Sequence, residues 1–183
     1  MPNRAFIGIG TNLGDRIANY RRALVLIAGL PDTRIVRQSS IYETEPVGDF
    51  KGTFLNGVIE VETAMTAEQT MRRLLAIQRK MGRKRPAART RNARNRARTI
   101  DLDLLFFNHD VIDMPSLVVP HPRLHDRRFV LAPMAELAPA LIHPRLNRSI
   151  SELLAGLKSP YRVTLARADL LRPRPSRREV AVR

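Results

Sequence analysis

The chain has 183 residues, no cysteine and a formal net charge of +15. The absence of cysteine excludes a disulfide scaffold, a thiolate metal centre and a cysteine nucleophile, and no apolar run approaches the ~20 residues that cross a bilayer. The opening Met1-Pro2-Asn3-Arg4 precedes only a short apolar run, so one soluble, cytoplasmic domain with appendages is the expectation.

Ala5 to Gly10 reads as a short strand ending in a glycine turn. Asn12 or Asp15 can cap the helix that follows, whose apolar positions Ile17, Tyr20, Ala23, Leu24 and Ile27 recur at helical spacing before Gly29 and Pro31 end it. Arg34 to Tyr42 is predicted as one strand, residues 45–52 as a loop, and Phe54, Val58, Ile59 and Val61 as another strand. Thr66 and Gln69 form a capping box, and the second helix runs to about Met81 on Met71, Leu74, Leu75 and Ile77.

Gly82 stops that helix and Pro86 forbids its simple continuation. From Arg79 to Arg98 there are ten basic residues and no acidic one, with no apolar periodicity. Thr99 to Phe107 is a strong strand, in which Ile100, Leu102 and Leu104 alternate with Asp101 and Asp103. Met114 to Arg128 reads as a long loop by its three prolines. Phe129 to Ala138 is predicted helical, with Pro133 in its first turn or at a kink. Ser149 to Leu157 is a last short helix with its own capping box, Ser149 with Glu152. Residues 161–183 form a basic, proline-rich tail, and residues 1–160 the domain. The order strand, helix, strand, strand, helix, strand is the split βαβ arrangement, so the expected class is α+β, a ferredoxin-like βαββαβ sandwich with additional C-terminal helices.

The charge suggests a polyanionic partner, and its location decides which. The 79–98 segment and residues 167–183 hold nearly all of the excess, and the other 146 residues carry 16 basic and 15 acidic side chains. A basic nucleic-acid-binding module is one reading, but an RNP-type aromatic pattern is absent. The other follows from Asp101-Leu102-Asp103, whose carboxylates share one strand face. Two like charges so close repel, and the pair reads either as a solvated strand face or as a site for a hard divalent cation that leaves positions open for phosphate oxygens. The arginines just before it suit the outer oxygens of a polyphosphate.

His121 and His125 are four residues apart in a stretch rich in proline and arginine, with no third ligand nearby in sequence, which speaks against zinc. His121 can instead donate to a phosphate. Residues 8–14 have the glycines of a dinucleotide fingerprint at the wrong spacing, and no P-loop is present. Phe54 and Phe129 are either core residues or walls for a flat ring, and Asn56 offers both donor and acceptor to a heterocycle edge.

Five ordered stretches together resemble the 6-hydroxymethyl-7,8-dihydropterin pyrophosphokinase family: residues 7–15, Ser39 to Gly48, Phe54-Leu55-Asn56, Arg98 to Leu105, and Pro120 through Pro133. The resemblance implies a ferredoxin-like fold and pyrophosphoryl transfer from ATP to the pterin hydroxymethyl group, in folate biosynthesis. It implies that Asp101 and Asp103 hold two Mg²⁺ ions against the ATP phosphates. By the same resemblance the pterin lies between Phe54 and Phe129, with Thr44, Pro46, Val47 and Asn56 at its edges. Arg83, Arg98, His121 and Arg127 match positions that contact phosphates, Arg83 and Arg98 with catalytic roles, and Leu104 lies near the adenine. The implied partners are these small molecules, with no membrane and no specific nucleic acid, and the implied state is a monomer.

Gly82 and the arginines that follow it as far as Arg98 suit a loop over residues 82–98 that closes over the substrates. The chain departs from the family at Asn95-Arg96-Ala97-Arg98, where a proline is lost, and at Gln78, where a glutamate is common. A paralogue acting on a related pterin is the alternative reading.

Overall fold

The computed structural model describes residues 1–45, 52–82 and 99–166. Its centre is a six-stranded antiparallel sheet built from β1 (Asn3–Thr11), β2 (Thr33–Gln38), β3 (Tyr42–Thr44), β4 (Phe54–Thr63), β5 (Asp101–Phe107) and β10 (Val163–Leu165). Along one path the order is β10-β3-β4-β1-β5, and β2 pairs with β4 beside β3. With β2 and β3 taken as one broken strand, the core is the ferredoxin-like arrangement the element order predicts.

The predicted single strand from Arg34 to Tyr42 is interrupted at Ser39-Ser40-Ile41. The cause is local: the Ser39 hydroxyl accepts the Val58 N–H at 2.9 Å, a bond that a strand carbonyl would otherwise accept. Ser40 N–H turns away to Glu136.

Helices α1 (Arg16–Ala28) and α2 (Ala67–Lys80) cover one face of the sheet. Asp15, not Asn12, caps α1 by accepting Ala18 N–H, and both predicted capping boxes are formed. The core beneath them takes Ile7 and Ile9 from β1, Ile59 and Val61 from β4, and Leu102 and Leu104 from β5. Side chains alternate along a strand, so Phe6, Val58 and Leu105 face the other way, into a second core closed by α3 (Arg128–Leu137) and α4 (Ile150–Gly156). Pro133 lies past the first turn of α3 and is buried, giving up one helical hydrogen bond inside an otherwise apolar face.

The stretch predicted as a long loop begins with a small hairpin, β6 (Ile112–Met114) with β7 (Leu117–Val119), and contains one 3₁₀ turn at Leu124–Asp126. A second small pair, β8 (Ile142–His143) with β9 (Arg148–Ser149), leads into α4. The C-terminal segment also departs from expectation. Val163 to Leu165 forms β10, which adds to the sheet edge along β3 rather than leaving as a tail from residue 161.

Candidate active site

A pocket of about 600 Å³ opens on the face that α3 only partly covers. Its floor follows from the register of the central strands. Gly8 pairs with Asp103 and Gly10 with Asp101 across the β1–β5 ladder. Paired residues share a face, so two glycines without side chains stand beside the two carboxylates. A Cβ at Gly10 would lie 2.9 Å from Asn56 Oδ1, and one at Gly8 3.4 Å from the Leu105 side chain. The hydrogen side chains therefore keep this strip of sheet open.

At one end of the floor Asp101 and Asp103 face the pocket with Arg123, Asp126 and Arg127. Arg127 Nη1 reaches Asp103 Oδ2 at 3.5 Å, and His121 Nε2 lies 3.9 Å from the same oxygen. His121 Nδ1 accepts the Arg123 N–H at 3.2 Å. Burial, then the charges of Arg127 and Arg123, push the His121 imidazole down to about 4. It is therefore neutral near pH 7, with Nδ1 occupied as acceptor and Nε2 left as the N–H donor toward Asp103.

At the other end are Thr44, Phe54, Asn56, Phe129, Tyr161 and Val163. Asn56 and Thr44 are buried, and the Asn56 amide donates to Thr44 Oγ1 at 2.7 Å. This hydrogen bond fixes the carboxamide plane and leaves Oδ1 on the Gly10 side. The flanks of this end are fastened by Arg16, whose Nη1 donates to Glu43 Oε1 at 3.1 Å and to Thr53 Oγ1 at 2.6 Å. That grip ties the end of β3 to the start of β4, and so sets Thr44 beside Phe54. Arg127 joins the two ends: its guanidinium lies 5.6 Å from the Phe129 ring centroid while its Nη1 meets Asp103.

Of the residues singled out in the sequence, Asp101, Asp103, Thr44, Phe54, Asn56, Arg127 and Phe129 line this single pocket, and His121 lies next to Asp103, its Nε2 3.9 Å from the carboxylate. Leu104 does not join them. Strand alternation turns its side chain into the core under α1 and α2, and Leu105 lines the pocket instead. Pro46, Val47, Arg83 and Arg98, with all of the closing loop expected over 82–98 except Gly82, lie outside the described residues. Sequence reasoning missed Arg123, Arg128, Lys158 and Tyr161. The last two come from a segment whose only signal was Val163-Thr164-Leu165, too short to read as a strand.

Asp101 and Asp103 fit a divalent cation by their chemistry: two hard oxygen donors on one strand face, beside two glycines that leave room. Among the described residues no group of three or more His, Cys, Asp or Glu could hold a metal, so the remaining positions of such an ion would go to phosphate oxygens and water, as Mg²⁺ prefers.

Residues 6–139 match the sequence pattern of 7,8-dihydro-6-hydroxymethylpterin-pyrophosphokinase (HPPK). The chain belongs to this family. It is 40% identical over 138 residues to the 2-amino-4-hydroxy-6-hydroxymethyldihydropteridine pyrophosphokinase of Bacillus subtilis, covering 75% of this chain and 79% of that one. It is 36% identical over 157 residues to the enzyme of the same name from Pseudomonas aeruginosa, covering 85% and 93%. Among solved structures, wild-type Plasmodium falciparum HPPK-DHPS with SDX-DHP superposes with a TM-score of 0.66 at 15% identity, over 85% of this chain and 44% of that one. The chain thus spans less than half the length of that solved protein, and the likeness establishes the fold. α3 packs over β3 and β4, covering sheet surface that a single-strand RNA binder of this topology would present.

Proposed function

We propose that this HPPK chain transfers the terminal diphosphoryl group of ATP to the hydroxymethyl oxygen of 6-hydroxymethyl-7,8-dihydropterin, releasing AMP, as a step of folate biosynthesis. The observation that carries this reading is the bridging position of Arg127, which touches the carboxylate end and the ring end of one pocket. A reaction joining a polyphosphate to a flat heterocycle needs that proximity.

The residues divide the work. Phe54 and Phe129 take the faces of the pterin, and Asn56 with Thr44 reads its polar edge. The pocket then directs the hydroxymethyl oxygen toward Asp101 and Asp103. In the transfer, that oxygen forms a bond to the β-phosphorus, the bond from β-phosphorus to the bridging oxygen of the α-phosphate breaks, and AMP leaves with that oxygen. The hydroxyl proton passes to solvent. Arg127 and the neutral His121 donate hydrogen bonds where charge collects on the phosphoryl oxygens. Arg83 and Arg98 would add further positive charge there. Mg²⁺, two ions by the family resemblance, would be held by Asp101 and Asp103 and would neutralise phosphate charge and lower the pKa of the attacking hydroxyl.

No helix among the described residues is long and apolar enough to cross a membrane, and we place the enzyme in the cytoplasm as a monomer. The test is a pterin panel with ATP and Mg²⁺, scored by AMP. The hydroxymethyldihydropterin should give AMP well above the no-pterin control. Faster release with a differently substituted pterin would favour the paralogue reading.

A further inference from the structure

The family match ends at residue 139, yet the pocket does not. In the segment Leu157 to Ala166, Lys158, Ser159, Pro160, Tyr161 and Val163 line it. The segment is fastened at both ends. Arg128 Nη2 donates to Leu157 O at 2.8 Å. Beyond Tyr161, Arg162 is held twice by one residue: its carbonyl accepts Glu45 N–H at 3.2 Å and its N–H donates to Glu45 Oε2 at 3.2 Å. β10 then pairs with β3, Val163 opposite Thr44, and Ala166 N–H closes onto Ile41 O at 2.8 Å.

The register says which part of the pocket this strap serves. Val163, Thr44 and Phe54 lie in one row across three strands, and all three line the pocket. Tyr161 stands two residues before Val163, just ahead of the strand. It is half-buried and lines the pocket beside Phe54 and Phe129. Its backbone is immobilised by the paired bonds of its neighbour, so the ring is offered to the pocket at little additional cost in conformational entropy.

We propose that Tyr161 is a substrate-contacting residue of this enzyme, a third aromatic wall that sets affinity for the heterocycle, delivered by a strap that lies beyond the residues matched by the family pattern. The proposal rests on the pyrophosphokinase reading. Tyr161 would act through ring contact with the pterin and not through its hydroxyl, because the end of the pocket it joins already holds the polar pair Asn56 and Thr44.

The experiment is steady-state kinetics of the full chain, wild type against Tyr161→Ala and Tyr161→Phe, varying pterin and ATP separately, with pterin binding followed by fluorescence. The wild type must first release AMP in a pterin-dependent way. Failure there sinks the functional reading and is distinct from failure of the strap. Given an active wild type, Tyr161→Ala should raise KM and Kd for the pterin about tenfold, a typical worth for one aromatic contact, with KM for ATP within twofold, and Tyr161→Phe should restore wild-type values. A pterin Kd unchanged in Tyr161→Ala would overturn the proposal. So would an equal loss for both substrates that Phe does not rescue, since that marks a merely structural role. If Tyr161→Ala does not fold, Tyr161→Leu, which keeps the apolar bulk, serves instead: a pterin Kd still equal to wild type overturns the claim of an aromatic contact, and a selective rise supports it.

Discussion

Gly10 stands directly opposite Asp101 in the β1–β5 ladder, and a methyl group placed on it would meet Asn56 Oδ1 at 2.9 Å. That glycine therefore separates the carboxylate end of the pocket from the ring end. Gly10→Ala must push the Asn56 carboxamide, which is buried and already held by Thr44. Overpacking of this kind costs about 1–3 kcal/mol. The expected result is a stably folded variant with a pterin KM raised at least fivefold, measured alongside a thermal melt.

Asp101→Ala and Asp103→Ala should each lower turnover by about three orders of magnitude or more, because they remove donors from the proposed Mg²⁺ site. Both side chains sit at the pocket and not in either core. The far-ultraviolet spectrum and melting temperature should stay near wild type. Chelation of divalent cations should abolish turnover in the wild type, and added Mg²⁺ should restore it.

Arg127→Lys keeps the charge and loses the planar fork. A guanidinium can lie over Phe129 while reaching Asp103, as it does here, and an ammonium cannot reproduce both contacts. Turnover should fall about 10- to 100-fold, with KM rising for both substrates. That joint rise distinguishes a residue bridging the two sites from one serving either alone.

His143 supplies a pH dependence remote from the chemistry. It is 3% exposed, edge-on to Phe106 at 5.7 Å and to His125 at 6.1 Å. Burial first, and then His125 and Arg145, hold its imidazole below the ordinary 6.5, against a backbone hydrogen bond that raises it. Below pH 6.5 the unfolded chain binds a proton that the folded chain still refuses. The stability from this residue is therefore fully present above that pH and declines as pH falls toward the folded value. Urea midpoints at pH 7.5 and 5.5 should show the loss, and His143→Asn, which keeps an acceptor for Arg145 N–H, should lessen it.

Much of this architecture is legible in the sequence because local rules and tertiary packing agree. The alternation of Leu102 and Leu104 with Asp101 and Asp103 assigns both faces of β5, and the capping boxes at Thr66 and Ser149 set the starts of α2 and α4. The failures are equally local. Ser39 looks like an ordinary strand residue, and only the arrival of Val58 N–H at its hydroxyl breaks the strand. β10 has three residues and no periodicity to read, and exists because β3 offers it an edge. Tyr161 becomes a pocket residue through that pairing, which no pattern in residues 158–165 announces.

In the proposed reaction one pocket moves two phosphorus atoms together from ATP to the pterin. Phosphorus NMR of the complete reaction, with ATP, Mg²⁺ and 6-hydroxymethyl-7,8-dihydropterin, reads this directly. AMP and a pterin diphosphate should form in equal amounts, with the β- and γ-phosphorus of ATP both in the pterin product. ADP with a pterin monophosphate, or no change in the ATP signals beyond the pterin-free control, would contradict it.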